Sequence, residues 1–323
     1  MPAHWKRLLL CAAFATVSTA ALADYPEKDL RIIVPWGAGG GTDGIVRKIA
    51  SIAEDAYGQS IYVENIEGGV SATGVSQLMN ARPDGYTIGA LTYDSIVTVP
   101  WQGFLPDYDL GKLDYIARIT AEPDALIVST SSGYDTLEDV LAAAKDAPGK
   151  VRIGMQNVGS RVHLAALQLQ NETGAEFKLI AYPGGAAAQK EAMLNGEVDI
   201  VATSLGDFAS VIEDGAGKGV VEFTDTANPT YEVPTAADLG LALRMGSFIV
   251  LAAPDGTPPE ALEKIEAAFQ TAYESEEFQS WLAKVGVTPA WLPMAEVPAW
   301  AEETTASVSA QLDKLVEDGV ISK

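Results

Sequence analysis

The sequence has little cysteine and histidine. Its 323 residues include one cysteine, Cys11, and two histidines, His4 and His163. Cys11 and His4 lie in an N-terminal segment that we expect to be removed, so the remaining chain can form no disulfide. Zinc sites are also unexpected, because zinc ligands come mostly from clusters of Cys and His. We therefore predict neither a metal nor another cofactor.

Basic residues are also scarce. The chain has 21 Lys and Arg against 44 Asp and Glu, which gives a formal net charge of −23. Such a surface repels nucleic acid, so we predict no nucleic-acid partner. It also disfavours long-range attraction of anions. An anionic ligand would therefore need a local site, whereas the acidic surface itself serves solubility.

Long apolar runs are absent after the first residues. No later segment has the roughly 18 consecutive apolar residues of a membrane-spanning helix. The N-terminus has the pattern of an export signal, with Lys6 and Arg7 before an apolar stretch over 8–17. That stretch is too short to span a bilayer. Ala21-Leu22-Ala23 is a small-x-small cleavage site, so we predict a signal peptide over 1–23, cleaved after Ala23.

Strand-like and helix-like segments alternate along the rest of the chain. The strand pattern "DLRIIVPW" is followed by helical spacing of Ile45, Ile49 and Ile52. This alternation predicts α/β architecture with parallel strands. A second unit begins near Leu113, after which extended stretches could run between two lobes. The C-terminal strand and helices contain too few strands for a sheet of their own, so we expect them to pack on the first lobe.

The segment "PWGAGGGTD" at 35–43 places four glycines between the first strand and the first helix. Gly39-x-Gly41-x-x-Gly44 with Glu64 matches a dinucleotide fingerprint. Asp43 would repel a pyrophosphate, however, and export separates the chain from the nicotinamide pool. A nucleotide-hydrolase phosphate loop would need Gly-Lys-Ser/Thr where the chain has Gly-Thr-Asp.

Two interpretations of this glycine segment remain. Unpaired N–H groups at the helix start could bind an anion, since glycines let a carboxylate reach them and the helix dipole favours it. Alternatively, the segment is only a tight turn with Asp43 as N-cap. Glycine-rich helix starts recur at 68–70, 159–160, 184–185 and 206, each at the carboxyl end of a strand. Ligands of open parallel sheets bind at that edge, so facing lobes would form a cleft rich in backbone donors.

Several motifs in one order make the chain similar to a known family. They are "YPEKDLRIIVPWGAGGGTDGIVRKIA", "VENIEGGVSATG", "ARPDGYTI", "IGMQNVGSRVHLAA", "AYPGGAAAQKEAMLNGEVDIVATS" and "VLAAPDGTPPEALEKIEAAF". Together they cover most of residues 25–270. The chain resembles the Bug or TctC-type solute receptors of tripartite tricarboxylate transporters.

The resemblance implies an α/β, two-lobed periplasmic binding protein (type II-like), with a mainly parallel sheet in each lobe. We assign residues 24–122 plus 229–323 to lobe 1 and residues 123–228 to lobe 2. The implied function is capture of a small organic carboxylate between the closing lobes and its delivery to the membrane subunits of a secondary transporter. The implied location is the periplasm, and we expect a monomer.

The resemblance also implies which residues line the cleft. One carboxylate is expected at Gly39, Gly40, Gly41, Thr42 and Asp43 of lobe 1 and at Gly159, Ser160 and His163 of lobe 2. The wall is expected to include Tyr182, Gly184, Gly185, Ala186 and Ser204. Further candidates for ligand contact are Trp36, Tyr93, Ser95, Arg161 and Asp207.

Two departures from the family pattern leave the far end of the ligand open. Asp94 stands where small hydroxyl residues are more usual, and it either disfavours a second carboxylate or caps its own helix. Arg161 begins a helix, where its charge opposes the dipole. It either grips a distal carboxylate as a fork or is exposed to solvent.

Other functions fit the sequence less well. Ser160 and His163 could suggest a serine hydrolase, but no Gly-x-Ser-x-Gly elbow surrounds Ser160, so we predict no catalytic residues. His163 could instead be a buried structural residue, and Ser160 an ordinary helix cap. The alternative receptor function is that of an ATP-driven importer's substrate-binding protein. The sequence leaves the identity of the carboxylate open.

Overall fold

One mixed β-sheet runs through the molecule. The computed structural model describes residues 25–103, 105–228, 230–317 and 319, and within them ten strands form a single sheet. The predicted signal peptide and its cleavage site lie outside the described residues. The strands are β1 (Leu30–Val34), β2 (Ile61–Asn65), β3 (Thr87–Leu91), β4 (Leu113–Ser129), β5 (Arg152–Met155), β6 (Lys178–Ala181), β7 (Ile200–Ser204), β8 (Gly217–Glu222), β9 (Gly246–Pro254) and β10 (Pro289–Pro293).

Helices connect most of these strands. They are α1 (Gly41–Tyr57), α2 (Ala72–Met79), α3 (Val99–Gln102), α4 (Leu137–Asp146), α5 (Arg161–Thr173), α6 (Ala186–Leu194), α7 (Ala209–Glu213), α8 (Pro259–Glu274), α9 (Glu276–Lys284) and α10 (Val297–Glu317). A π-helical turn spans Asp94–Thr98, and 3₁₀ turns span Leu110–Lys112 and Gly206–Phe208. No helix among the described residues combines the length and apolarity needed to cross a membrane.

The long strand β4 joins two halves of the sheet. The strand order is β2-β1-β3-β9-β4-β7-β5-β6, and β8 and β10 also pair with β4. The first half of β4 pairs with β9 and β10, and its second half pairs with β7 and β8. The strand pairs on both outer sides of the sheet are parallel. On one side β1 pairs with β2 and β3, and on the other side β5 pairs with β6 and β7. The crossing strands are antiparallel to their neighbours, so the sheet is mixed.

Separate hydrophobic cores lie on the two halves. One core packs β1, β3 and β9 against α1, α8 and α9. Another core packs β5, β7 and the second half of β4 against α4 and α5. It also includes Ala236 and Leu243. Since those two residues belong to the second core, we propose that lobe 2 extends from 124 to 245 instead of ending at 228. Lobe 1 then comprises the rest of the described chain.

Helix α1 shows how the local sequence positions a loop. Its apolar residues Ile45, Ile49 and Ala53 are buried, as the helical spacing predicts. The helix ends at Gly58, whose φ of 91° lies in the left-handed region and whose N–H donates to the Glu54 carbonyl at 2.8 Å. Because the helix is held by this packing, its glycine-rich start has a fixed position at the edge of the sheet.

Candidate functional site

A cavity lies where the strand–helix loops of both lobes meet. It is narrow, with about 20 Å³ of room for a water-sized molecule. The β1–α1 loop contributes from lobe 1, and the loops after β5, β6 and β7 contribute from lobe 2. Its lining residues are Trp36, Gly40, Gly41, Thr42, Glu122, Gln156, Arg161, Gly184, Gly185, Ala186, Ser204, Asp207 and Ser247.

The start of α1 presents backbone donors to this cavity. Gly40 is the N-cap, in an extended conformation and without a side-chain capping bond. The first N–H groups of a helix have no partner within it, so those of Gly41 and Thr42 are suited to an anion. The alternative that Asp43 is the N-cap is wrong, because the helix begins two residues earlier. Asp43 instead accepts a hydrogen bond from the Gly39 N–H at 2.9 Å and fixes the loop.

Neighbouring groups stabilise the ionised form of Asp43. Its Oδ1 accepts from Arg47 Nε and from Asn65 Nδ2, both at 2.9 Å. Burial opposes ionisation, but these hydrogen bonds, that of the Gly39 N–H and the positive charge of Arg47 together lower the pKa of Asp43. Asp43 therefore acts as an ionised brace of the glycine loop and does not line the cavity.

The start of α6 faces the cavity from the opposite lobe. Gly184 and Gly185 have φ values of 104° and 76°, which side chains rarely adopt. The two glycine loops also touch, since a Cβ built on Gly37 would lie 2.7 Å from the Gly184 carbonyl oxygen. Residues with side chains would separate the lobes here. The N–H groups at the start of α6, from Ala186 onward, therefore lie across the cavity from those of α1.

Arg161 is buried, with 3% of its surface exposed, so the expectation of solvent exposure is wrong. Its guanidinium does form a fork, but the carboxylate it grips is internal. Nε lies 3.0 Å from Asp124 Oδ2, and Nη2 lies 2.9 Å from Asp124 Oδ1. Nη1 donates to Gln156 Oε1 at 3.2 Å. The guanidinium is therefore largely engaged by the protein itself.

Asp94 does cap a helix, but the helix belongs to the other lobe. Its Oδ1 accepts from the Arg161 N–H at 2.9 Å, at the first residue of α5, and from Thr98 Oγ1 at 2.8 Å. Its Oδ2 lies 3.6 Å from Arg161 Nη1. The side chain is fully buried. An internal carboxylate from lobe 1 thus occupies the start of the lobe 2 helix where a ligand carboxylate was expected.

Two further carboxylates reach the cavity. Glu122 of β4 accepts hydrogen bonds from Thr120 Oγ1 at 2.9 Å and from Ser204 Oγ at 3.3 Å. Asp207 Oδ2 accepts from Thr203 Oγ1 at 2.5 Å. Its Oδ1 faces the start of α1, where a Cβ built on Gly41 would lie 1.9 Å away. The cavity therefore has a strongly acidic wall beside its backbone donors.

Burial is the largest influence on the pKa values of Glu122, Asp94 and Asp124. It raises the pKa of Glu122 to about 7, helped by the charge of Asp207 and opposed by the Thr120 and Ser204 hydrogen bonds and Arg161. Burial also raises the pKa of Asp94 and of Asp124, against the nearby guanidinium. Outside the cavity, burial raises the pKa of Glu222 to about 7, although Asn228 donates a hydrogen bond to it.

These raised values make stability depend on pH. When the pKa of a carboxyl group is higher in the folded than in the unfolded state, its contribution to stability is complete only below a pH of about 4.5. This contribution is lost as the pH rises to about 7.

We expect Glu222→Gln to raise the free energy of unfolding at pH 8 by about 1–2 kcal/mol, and to change it little at pH 5. Urea denaturation at both pH values measures this. Glu263→Gln, at an exposed position of α8, is the matched control. Equal effects of the two substitutions at pH 8 would contradict the assignment.

Comparison with known proteins identifies the family. The family model described as "Tripartite tricarboxylate transporter family receptor" (TctC) matches residues 45–315. The chain belongs to this family. This confirms the predicted resemblance, and family members are receptors rather than enzymes.

Individual proteins are similar to this chain over nearly its whole length. A "UPF0065 protein in gbd 5'region" of Cupriavidus necator is 28% identical over 313 residues, which cover 95% of each chain. A solved "periplasmic transporter" has a TM-score of 0.85 at 26% identity, covering 90% of this chain and 98% of that one. "R. palustris Rpa4515 with adipate" has a TM-score of 0.84 at 24% identity, covering 91% and 98%. The predicted periplasmic-binding-protein fold is confirmed.

The structure of this receptor brings ten of the predicted site residues to the cavity. They are Trp36, Gly40, Gly41, Thr42, Arg161, Gly184, Gly185, Ala186, Ser204 and Asp207. Trp36 donates from Nε1 to Thr92 Oγ1 at 3.2 Å, which fixes its ring against the cavity. Ligand contact by all these residues stays a prediction.

The other predicted residues lie outside the lining. Five of them hold the backbone turns at the starts of α1 and α5. They are Gly39, Asp43, Gly159, Ser160 and His163. Ser160 is the N-cap of α5, yet its Oγ donates backward to the Asn157 carbonyl at 2.8 Å. His163 Nδ1 accepts from the Gly159 N–H at 2.9 Å, and burial lowers the pKa of the imidazole.

The remaining three predicted residues face other surroundings. Ser95 Oγ donates to Ser71 Oγ at 2.9 Å within lobe 1. Tyr182 contacts Glu197 Oε2 through its hydroxyl at 3.3 Å. Tyr93 packs against Phe248 and lines a neighbouring groove. Glu122 and Ser247 line both that groove and the cavity.

Three lining residues were missed by the sequence reasoning. Gln156 directly follows β5, so the strand-edge rule could have found it. Glu122 lies two residues before Asp124 in the crossing strand β4, and this pair of acidic residues among apolar ones was a usable signal. Ser247, near the start of β9, carries no distinguishing pattern.

Proposed function

We propose that this chain is a periplasmic receptor that captures a small organic carboxylate in the cavity. The supporting observation is that the starts of α1 and α6, from opposite lobes, face one cavity through Gly40–Thr42 and Gly184–Ala186. Four to six charge-assisted hydrogen bonds of about 1.5–3 kcal/mol each suffice for the roughly 8 kcal/mol of micromolar binding. No lysine or free arginine is needed.

The same proposal includes delivery to membrane subunits of a tripartite transporter. The family match supports this partner over an ATP-driven importer. The adipate of the R. palustris protein supports a carboxylate as ligand, and the predicted signal peptide supports a periplasmic location.

A thermal-shift screen of organic acids tests the capture. At 100 times its dissociation constant a ligand adds about 2.7 kcal/mol to the free energy of unfolding, so a true ligand should raise Tm by several degrees. The screen uses aspartate, glutamate, succinate, glutarate, adipate and citrate, and each acid is compared with the amide in which its carboxyl groups are replaced. Equal shifts by acids and amides, or no shift with any acid, would contradict carboxylate capture.

A further inference from the structure

The acidic side chains at the cavity are not balanced by cationic ones. Arg161 is the only Lys or Arg among the described residues that line the cavity, and Asp124 and Asp94 already engage its guanidinium. Glu122 and Asp207 also line the cavity, with 7% and 8% of their surfaces exposed. Among the described residues, neither of them has a cation within ion-pair distance.

Hydroxyl groups are the side-chain hydrogen-bond partners of these two carboxylates. Thr120 and Ser204 donate to Glu122, and Thr203 donates to Asp207 Oδ2. Asp207 Oδ1 receives no hydrogen bond from any described residue, and it faces the cavity beside Gly41. A neutral donor does not compensate a buried charge, so this wall favours a cation.

We propose that the captured acid also carries an ammonium group, which lies between Glu122 and Asp207. This inference rests on the proposed function, because the ligand carboxylate is assigned to the N–H groups of α1 and α6. Asp207 Oδ1 lies beside Gly41. The positions proposed for the carboxylate and the ammonium group of the ligand are therefore next to each other. Adjoining positions suit an α- or β-amino acid, in which one or two carbon atoms join the ammonium and carboxylate groups. A second carboxylate at the same place would be repelled by both side chains.

An organic cation fits this wall better than a metal ion. The described residues contain no group of three or more His, Cys, Asp or Glu side chains that could hold a metal. The serine and threonine hydroxyls leave both carboxylates with free lone pairs, which the N–H bonds of an ammonium can use.

Calorimetry with matched ligand pairs tests the inference. The pairs are L-aspartate and succinate, L-glutamate and glutarate, and β-alanine and propionate, measured at pH 8 with the intact mature chain. We expect the amino member of at least one pair to bind about tenfold or more tightly than its partner. Glu122→Gln and Asp207→Asn should each reduce that preference about tenfold. Glu222→Gln removes a buried charge outside the cavity and should leave the preference unchanged.

The pH dependence provides a second readout. A cation binds best when Glu122 is ionised, so affinity for the amino acid should rise from pH 6 to pH 8. Asp207 and Arg161 are the charged groups that act on Glu122, through opposing effects. Affinity for an acid without an amino group should fall over the same range.

The possible outcomes separate the two proposals. If succinate, glutarate or propionate binds as tightly as its amino partner, the ammonium assignment is overturned while carboxylate capture stands. If no acid binds, both fail. The comparison of ligand pairs needs no variant, so it remains decisive even if Glu122→Gln does not fold.

Discussion

Replacing Arg161 by methionine should destabilise the protein by about 3–5 kcal/mol. Within the part of the chain that the structure describes, the guanidinium is the only cation that contacts Asp124 or Asp94, and both carboxylates are fully buried. Methionine fills similar space but leaves these acids without a counter-charge. The loss should be smaller at pH 5 than at pH 8, because the raised pKa of Asp124 lets it take up a proton.

Urea denaturation of the variant at both pH values measures this effect. Arg152→Met is the matched control, since Arg152 also binds an aspartate, Asp199, through Nε and Nη2. That pair is partly exposed, with 36% and 20% of the side chains accessible, so its loss should cost about 1 kcal/mol or less. An Arg161→Met cost no larger than the Arg152→Met cost would show that the buried cluster does not stabilise the fold.

The role of Arg161 shows where sequence reasoning stops. Its place at the first position of α5 was predictable from the Gly-Ser loop and the helical spacing that follows. Its burial was not, because the partners Asp124 and Asp94 are 37 and 67 residues away in sequence. A single sequence gives the charges but not which elements bring them together. The dipole rule indicated only that the positive charge is unfavourable at this position, and the two aspartates compensate for it.

The glycine loops were easier to predict. Their effect is local, because strand, glycines and helix follow one another within about 25 residues. The edge rule for parallel strands then places all such loops on one side of the sheet. This is why the start of α1 and the loops after β6 and β7 were expected at the site, and they line the cavity.

Two strands escaped the sequence analysis for a different reason. β8 follows a short helix and a tight turn, and its sequence GKGVVE does not alternate clearly between polar and apolar residues. β10 begins and ends with proline, which argues against a strand. It pairs with β4 through an irregular register, so tertiary contact rather than propensity determines it.

Gly41→Ala should reduce the affinity for the best-binding acid about 10–100-fold, through a loss of about 1–3 kcal/mol. The new Cβ would lie 1.9 Å from Asp207 Oδ1, 2.9 Å from its Cγ and 3.1 Å from its Cα. Rotating the Asp207 side chain would break its hydrogen bond from Thr203 and would still leave the Asp207 Cα closer than an ordinary contact. Lobe 2 must therefore shift away from α1 by a few tenths of an ångström, so the donors of the two helices hold one ligand less well.

Gly44→Ala is the control in the same helix. No atom lies within 4 Å of a Cβ built on Gly44, so alanine there should leave affinity unchanged and stabilise α1 by about 0.5–1 kcal/mol. Calorimetry measures both affinities, and small-angle scattering with saturating acid should show a larger radius of gyration for Gly41→Ala alone. Equal affinities and equal scattering profiles would mean that contact between Asp207 and the start of α1 is not needed for binding. The two substitutions add the same methyl group at positions three residues apart. A difference in affinity or radius of gyration between the two variants therefore shows how much binding depends on close contact between the lobes.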